Sequence, residues 1–245
     1  MRLLAVLALA FVTQALAAQE IVVSAASSLT NAFRDLGKTF EATHPGARVT
    51  FNFAASDVLV TQIAKGAPAD VFASADQEAM NRGEAAGAML PGTRRDFAAN
   101  ALVLVVPAAA TPPAALADLV HERFRKVALG SPQTVPAGRY AKEALAAAKL
   151  SALLEARLVF AQNVRQVLDY VARSEVEAGF VYATDAAIMP DKVKVAFDVP
   201  TPTPARYPIA VVKDSKHPDL ARTFVALVAS DAGQAVLRRY GFRAP

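Results

Sequence analysis

The 245-residue sequence contains no cysteine, no tryptophan and only three histidines. The missing cysteine removes disulfides, thiolate catalysis and zinc-thiolate sites, so stability has to come from the core. His44 in "THPG" and His217 in "KHPD" precede prolines in turns, and His121 in "VHER" lies amid helix-surface charge. All three read as solvated surface residues, which argues against a Ser-His-Asp triad and against a His-rich metal site. No GxGxxG, P-loop or GxSxG pattern occurs, and the carboxylates are dispersed. Basic residues are scattered, with Arg94-Arg95 and Arg238-Arg239 the only Arg-Arg doublets, and the net charge is +4. Nucleic-acid binding is therefore not expected, although a mild positive charge favours the approach of an anion. Beyond the N-terminus no segment is apolar and long enough to span a bilayer.

The chain is 54% apolar and 20% charged, ample for a globular core. Residues 1–18, "MRLLAVLALAFVTQALAA", combine one arginine, an apolar run from Leu3 to Val12 and the small-residue pattern Ala15-Leu16-Ala17. That is the pattern of a secretory signal peptide. Removal of Arg2 with it lowers the net charge to +3.

From Gln19 onward, short β-branched runs alternate with amphipathic stretches, the pattern of a parallel α/β architecture. Strands are predicted at Ile21 to Ala25, Val49 to Phe53, Asp70 to Ser74, Leu102 to Val106, Lys126 to Leu129, Arg157 to Phe160, Ala178 to Tyr182 and Ile209 to Val212. Helical stripes fall between them: Leu29, Ala32, Phe33, Leu36 and Phe40; then Tyr140, Ala144, Leu145 and Ala148; then Val164, Val167, Leu168 and Val171. Two places break this rhythm, "ANALVLVVPAAATPPAA" and the Pro-rich "DVPTPTPARYPIAVV". They suggest a chain that leaves one lobe, builds a second and returns, with residues 19–98 and 207–245 in the first lobe and 99–206 in the second. The C-terminal segment reads as two helices with a break near Ser230.

In an open α/β sheet, ligands bind beyond the carboxyl ends of the strands, where helices begin. Ser27 and Ser28 follow the first strand, Ser56 follows the second, "VPAG" (Val135 to Gly138) and "QNVR" (with Asn163 and Val164) open helices, and Tyr182 ends a strand. These positions share uncharged donors, hydroxyls and first-turn N–H groups, which suit an oxyanion. Pro136 fits a first-turn position, and Gly138, having no Cβ, would let backbone approach a ligand. Taken singly each has a plainer meaning. A serine before a helix is most often an N-cap, a tyrosine at a strand end is most often a packing residue, and Asn163 is itself a good cap. Asp76 reads as a cap or first-turn residue, and "SADQ" from Ser74 resembles a capping box. The weight lies in all the positions falling on one edge of two lobes. The residues alone leave open a receptor for any tetrahedral oxyanion, sulfate included. From another class, they leave open an exported hydrolase with Ser28 as nucleophile.

The segments "AASSLTNAF", "GAPADVFASAD", "VPAGRYAKEAL", "NVRQVLDYV", "GFVYATDA", "YPIAVV" and "RRYGF" closely resemble the periplasmic molybdate-binding proteins of bacterial ABC transporters. The resemblance implies a two-lobed α/β fold of the periplasmic binding protein type II class, with hinged lobes each built on a mostly parallel sheet. It also implies a monomeric periplasmic receptor that takes no cofactor and performs no catalysis. Its partners would be molybdate or tungstate and an inner-membrane ABC permease. Position by position, it assigns the ion to Ser28, Ser56, Ala137, Val164 and Tyr182. Hydroxyls would donate from Ser28, Ser56 and Tyr182, and N–H groups from Ser28, Ser56, Ala137 and Val164. One departure stands out: where many relatives run serines together, this chain has "FAASDVLV". A carboxylate facing a dianion repels it, so Asp57 is expected to point outward as a first-turn residue.

Overall fold

The computed structural model describes residues 19–245, and the expected signal segment lies outside the described residues. The first lobe opens with β1 (Gln19–Ala26), α1 (Thr30–Thr43), β2 (Ala47–Ala54), α2 (Ser56–Ala64), β3 (Val71–Ala73), α3 (Gln77–Ala85) and β4 (Arg95–Asn100). The chain then builds β5 (Leu102–Pro107), β6 (Val127–Gly130), α4 (Pro136–Ala147), α5 (Ser151–Leu154), β7 (Leu158–Ala161), α6 (Val164–Ala172), β8 (Ala178–Tyr182), α7 (Ala183–Ala186) and β9 (Val193–Asp198). It returns through β10 (Ala205–Val211) and ends in α8 (Pro218–Ala229) and α9 (Asp231–Arg239).

These strands form two five-stranded sheets, β2-β1-β3-β10-β4 and β7-β6-β8-β5-β9. In each, three strands pair in parallel and one runs against its neighbours: β10 is antiparallel to β3 and β4, and β5 to β8 and β9. The antiparallel strand is in both cases the first one laid down after the chain changes lobes. One crossing is a single residue, Ala101, between β4 and β5; the other is Val199 to Pro204 between β9 and β10.

Leu102 to Val106 of β5, apolar on both faces, are at most 1% exposed, while β1 buries Ile21, Val23 and Ala25 on one face and the polar Ser24 on the other. Of the four edge strands β2, β4, β7 and β9, sequence patterning locates β2 and β7 and misses β4 and β9. β4 ("RDFAAN") and β9 ("VKVAFD") mix charged and apolar residues because one side of each faces water.

The α1 stripe is buried as its spacing predicts, and Phe33 packs against Phe51 (6.4 Å between ring centroids), Phe97 (5.7 Å) and Phe224 (6.1 Å). One side chain thereby joins α1, β2, β4 and α8. The α6 stripe is likewise buried, whereas Ala148 lies just past the end of α4 and is exposed. The predicted break at Ser230 is present: its Oγ accepts from Gly233 N (3.2 Å) and so caps α9. Among the histidines only His121 is exposed. His44 stacks on Phe40 at the end of α1 (4.3 Å), and His217 is half-buried ahead of α8.

Candidate functional site

Neither serine acts as a helix cap. Ser28 sits in a 3-10 turn, Ser27–Leu29, inserted between β1 and α1, and the residue at the α2 cap position is Ala55. Ser56 is therefore the first residue inside α2, and its N–H has no intrahelical acceptor. Ser27 points elsewhere, its hydroxyl donating to Ala54 O (3.3 Å). The "SADQ" capping box does not form, because the cap of α3 is Asp76, which accepts from Ala79 N (3.0 Å).

In the second lobe, Pro136 opens α4, and Gly138 and Arg139 both donate to Val135 O. That leaves Ala137 N–H as the first-turn donor without an acceptor among the described residues. Gly138 serves a different purpose from the one expected. A Cβ there would lie 1.9 Å from Gly130 O, so its bareness lets α4 seat on β6 rather than admitting a ligand. At α6, Asn163 Oδ1 caps by accepting from Gln166 N (3.0 Å), and Val164 N–H is left without an intrahelical partner.

The five residues Ser28, Ser56, Ala137, Val164 and Tyr182 are at most 3% exposed, although each lies at the end of a strand or the start of a helix, where polar groups are ordinarily wet. Three are tied through two hydrogen-bonded sets that meet where Tyr182 packs on Tyr207. Ser56 Oγ accepts from Ala75 N (3.0 Å) while Tyr182 Oη, from the other lobe, donates to Ala75 O (3.3 Å). Tyr182 packs edge-on against Tyr207 (5.6 Å), whose hydroxyl lies 3.1 Å from Ser28 Oγ. Burial raises both tyrosines well above the ordinary phenol value, so each keeps its proton.

The first turns of α4 and α6 reach this cluster through arginines. Arg165, next to Val164, donates to Ser28 O (3.2 Å) and Asn31 Oδ1 (2.8 Å) in the first lobe and pairs with Asp185 in the second (2.5 Å). Arg139, two residues past Ala137, crosses to Asp57 (2.7 Å) and Asp76 (2.5 Å). This overturns the outward placement of Asp57. Its side chain is 5% exposed, held between Arg139 and Arg82 (2.8 Å). Repulsion from an anion decided the expectation, but an interlobe cation supplies the larger opposing term. Burial still leaves Asp57 with a pKa above the ordinary carboxylate value against the pull of Arg139 and Arg82. Burial likewise raises buried Asp185, against Arg165. Each arginine near the cluster is thus paired with carboxylate, and what remains uncommitted is neutral: the hydroxyl hydrogens of Ser28 and Ser56 and the first-turn N–H groups of Ala137 and Val164, while the Tyr182 hydrogen is held by Ala75 O.

Sequence reading missed Tyr207, Asn100, Arg139 and Arg165. Tyr207 lies in an apolar strand and reads as core, and its partner Ser28 is 179 positions away. The arginines read as ordinary helix surface, and only the approach of the second lobe gives them partners.

Two α/β lobes on mixed sheets, with buried neutral donors where strand ends and helix starts meet, form the architecture of a solute-binding protein. The chain belongs to the bacterial extracellular solute-binding protein family, whose profile matches residues 21–243. It is 35% identical over 226 residues to the putative ABC transporter substrate-binding lipoprotein YvgL of Bacillus subtilis, covering 91% of this chain and 86% of that one. It is 36% identical over 229 residues to the molybdate-binding protein ModA of Escherichia coli, covering 91% and 88%. The substrate-binding domain of a putative molybdenum ABC transporter from Clostridium difficile superposes with a TM-score of 0.70 at 34% identity, covering 92% of this chain and 99% of that one.

Proposed function

We propose that this chain is a periplasmic receptor that captures molybdate, and also tungstate, between its lobes and presents it to an inner-membrane ABC permease. The observation that carries this reading is the convergence of buried, uncharged donors from both lobes at a place where every neighbouring arginine is already paired. Ser28 and Ser56 would donate from the first lobe, and Ala137, Val164 and Tyr182 from the second. The two sheets support lobes close to residues 19–98 with 207–245, and 99–206. The reading includes a monomer, with no cofactor and no resident metal.

Neutral donors hold a tetrahedral dianion strongly only while water is excluded, because a hydrogen bond to a charged oxygen is stronger than a neutral one and gains further in a dry site. Opening readmits water, which competes for the same contacts, so capture and release use one set of groups. Sulfate matches molybdate in charge and shape and differs in radius, so rejection rests on cavity size. A protonated phosphate oxygen needs an acceptor, which this donor set withholds. Hydrolysis is disfavoured because Ser28 Oγ meets a tyrosine hydroxyl and no base.

Thermal melts with molybdate, tungstate, sulfate and phosphate test the reading, since a ligand that binds only the folded state raises its melting temperature. Molybdate and tungstate are expected to raise it and the other two to leave it near the ligand-free value. Absence of a shift with molybdate and tungstate would sink the proposal.

A further inference from the structure

The hydrogen bonds behind Ser28 have a direction. Asn100, the last residue of β4, accepts from Ala101 N–H at its Oδ1 (2.9 Å). That fixes the amide so that its Nδ2 faces Thr184 Oγ1 (2.8 Å) and Tyr207 Oη (3.3 Å), donating one hydrogen to each. Tyr207 Oη therefore receives a hydrogen from Asn100 and must send its own to another acceptor. The other oxygen in contact with it is Ser28 Oγ, at 3.1 Å. Once Ser28 Oγ accepts from Tyr207, its own hydrogen is turned away from Tyr207. Asn100, Thr184 and Tyr207 are all at most 8% exposed, so water does not scramble the order.

From this sequence of donors we infer that Tyr207 is a positioning residue that makes Ser28 an obligate donor. A relay running Ala101, Asn100, Tyr207, Ser28 aims the serine proton into the interlobe cleft. The inference rests on the receptor reading above and narrows its ligand class to tetrahedral anions with no proton on the oxygen facing Ser28. Tyr207 does not itself touch the ion; it acts through the serine.

A double-mutant cycle read by titration calorimetry with molybdate tests this. Tyr207→Phe keeps the ring and deletes the hydroxyl, freeing the Ser28 proton to rotate, and is expected to weaken molybdate binding roughly tenfold. In a Ser28→Ala background the same change is expected to matter by less than about twofold, because the group it acts through is gone. A purely structural tyrosine would give equal losses in both backgrounds, and that result, or undiminished affinity in Tyr207→Phe alone, overturns the relay. Should Tyr207→Phe fail to fold in a ligand-free melt, Asn100→Leu serves in its place. It adds no charge and deletes the hydrogen given to Tyr207 Oη, so Tyr207 can accept from Ser28 and the serine proton can turn back, with an effect expected to vanish in Ser28→Ala. Failure of the unmodified chain to bind molybdate is a separate result, which removes the receptor reading and this inference with it.

Discussion

At Ser56 the local sequence is ambiguous and the packing is not. The hydroxyl accepts from Ala75 N and is fully buried, so it belongs to the cluster between the lobes and does not close a helix end. Ser28→Ala and Tyr182→Phe are each expected to weaken molybdate binding by ~1–3 kcal/mol, measured by calorimetry, with the fold retained. Gly138→Ala should behave differently. The added carbon meets backbone, not a movable side chain, so α4 must shift off β6. A loss of roughly 1–3 kcal/mol in urea unfolding is expected, together with weaker binding, because Ala137 N–H moves with the helix. Residue-level legibility follows the same division. Periodicity locates the strand ends and helix starts where Ser28, Ser56, Ala137, Val164 and Tyr182 stand, but it was the family resemblance that singled these residues out from their neighbours. Tyr207 and Asp57 were illegible because their partners, Ser28 and Arg139, lie far away in sequence.

Among the elements, α4 and α2 make the most consequential contact, since Arg139 links a helix of one lobe to Asp57 and Asp76 of the other. Breaking a buried pair by removing one partner costs about 3–5 kcal/mol, because the remaining charge is stranded. Arg139→Met removes the pairing of Asp76 with the other lobe and one of the two partners of Asp57, which keeps Arg82, so that cost falls on the arrangement in which the lobes are together. Small-angle scattering of the ligand-free variant should show a larger radius of gyration than wild type; an unchanged radius would mean that the pair does not hold the lobes. A second tie is local. Tyr240, just past α9, donates to Asp35 of α1 (2.7 Å), and this bond, with a smaller contribution from Lys38, holds the Asp35 carboxyl below its ordinary value. A depressed carboxylate stabilises the fold above its unfolded-state pKa, and that contribution is lost as pH falls through the folded-state value. Tyr240→Phe should therefore lower stability at pH 7 and converge with wild type as pH drops below about 3.8, the ordinary Asp value. Urea melts at the two pH values measure it. Elements themselves were legible where apolar residues run together, as in β1 and β5, and at the edges β2 and β7; β4 and β9 were illegible because charged residues interrupt their apolar pattern.

For the whole molecule, the chain passes between the two sheets at Ala101 alone and in residues 199–204, and only the second passage is Pro-rich, since the prolines of "ANALVLVVPAAATPPAA" end or follow β5. Rotation of the lobes must be absorbed at these two places, and Ala101 also supplies the N–H that sets Asn100. The pairing of every arginine near the cleft with a resident carboxylate has a last consequence. Among the described residues the arginines beside the cluster, Arg82, Arg139 and Arg165, are already paired, so binding a dianion without proton uptake would add both of its charges to the complex. A chain without the proposed signal segment, at +3 without Arg2, would carry about two fewer positive charges when occupied. Native electrophoresis at neutral pH should resolve filled from empty molecules by charge alone, and identical mobilities would mean that the protein takes up protons on binding. Occupancy is then legible from outside the molecule, without any probe entering the cleft.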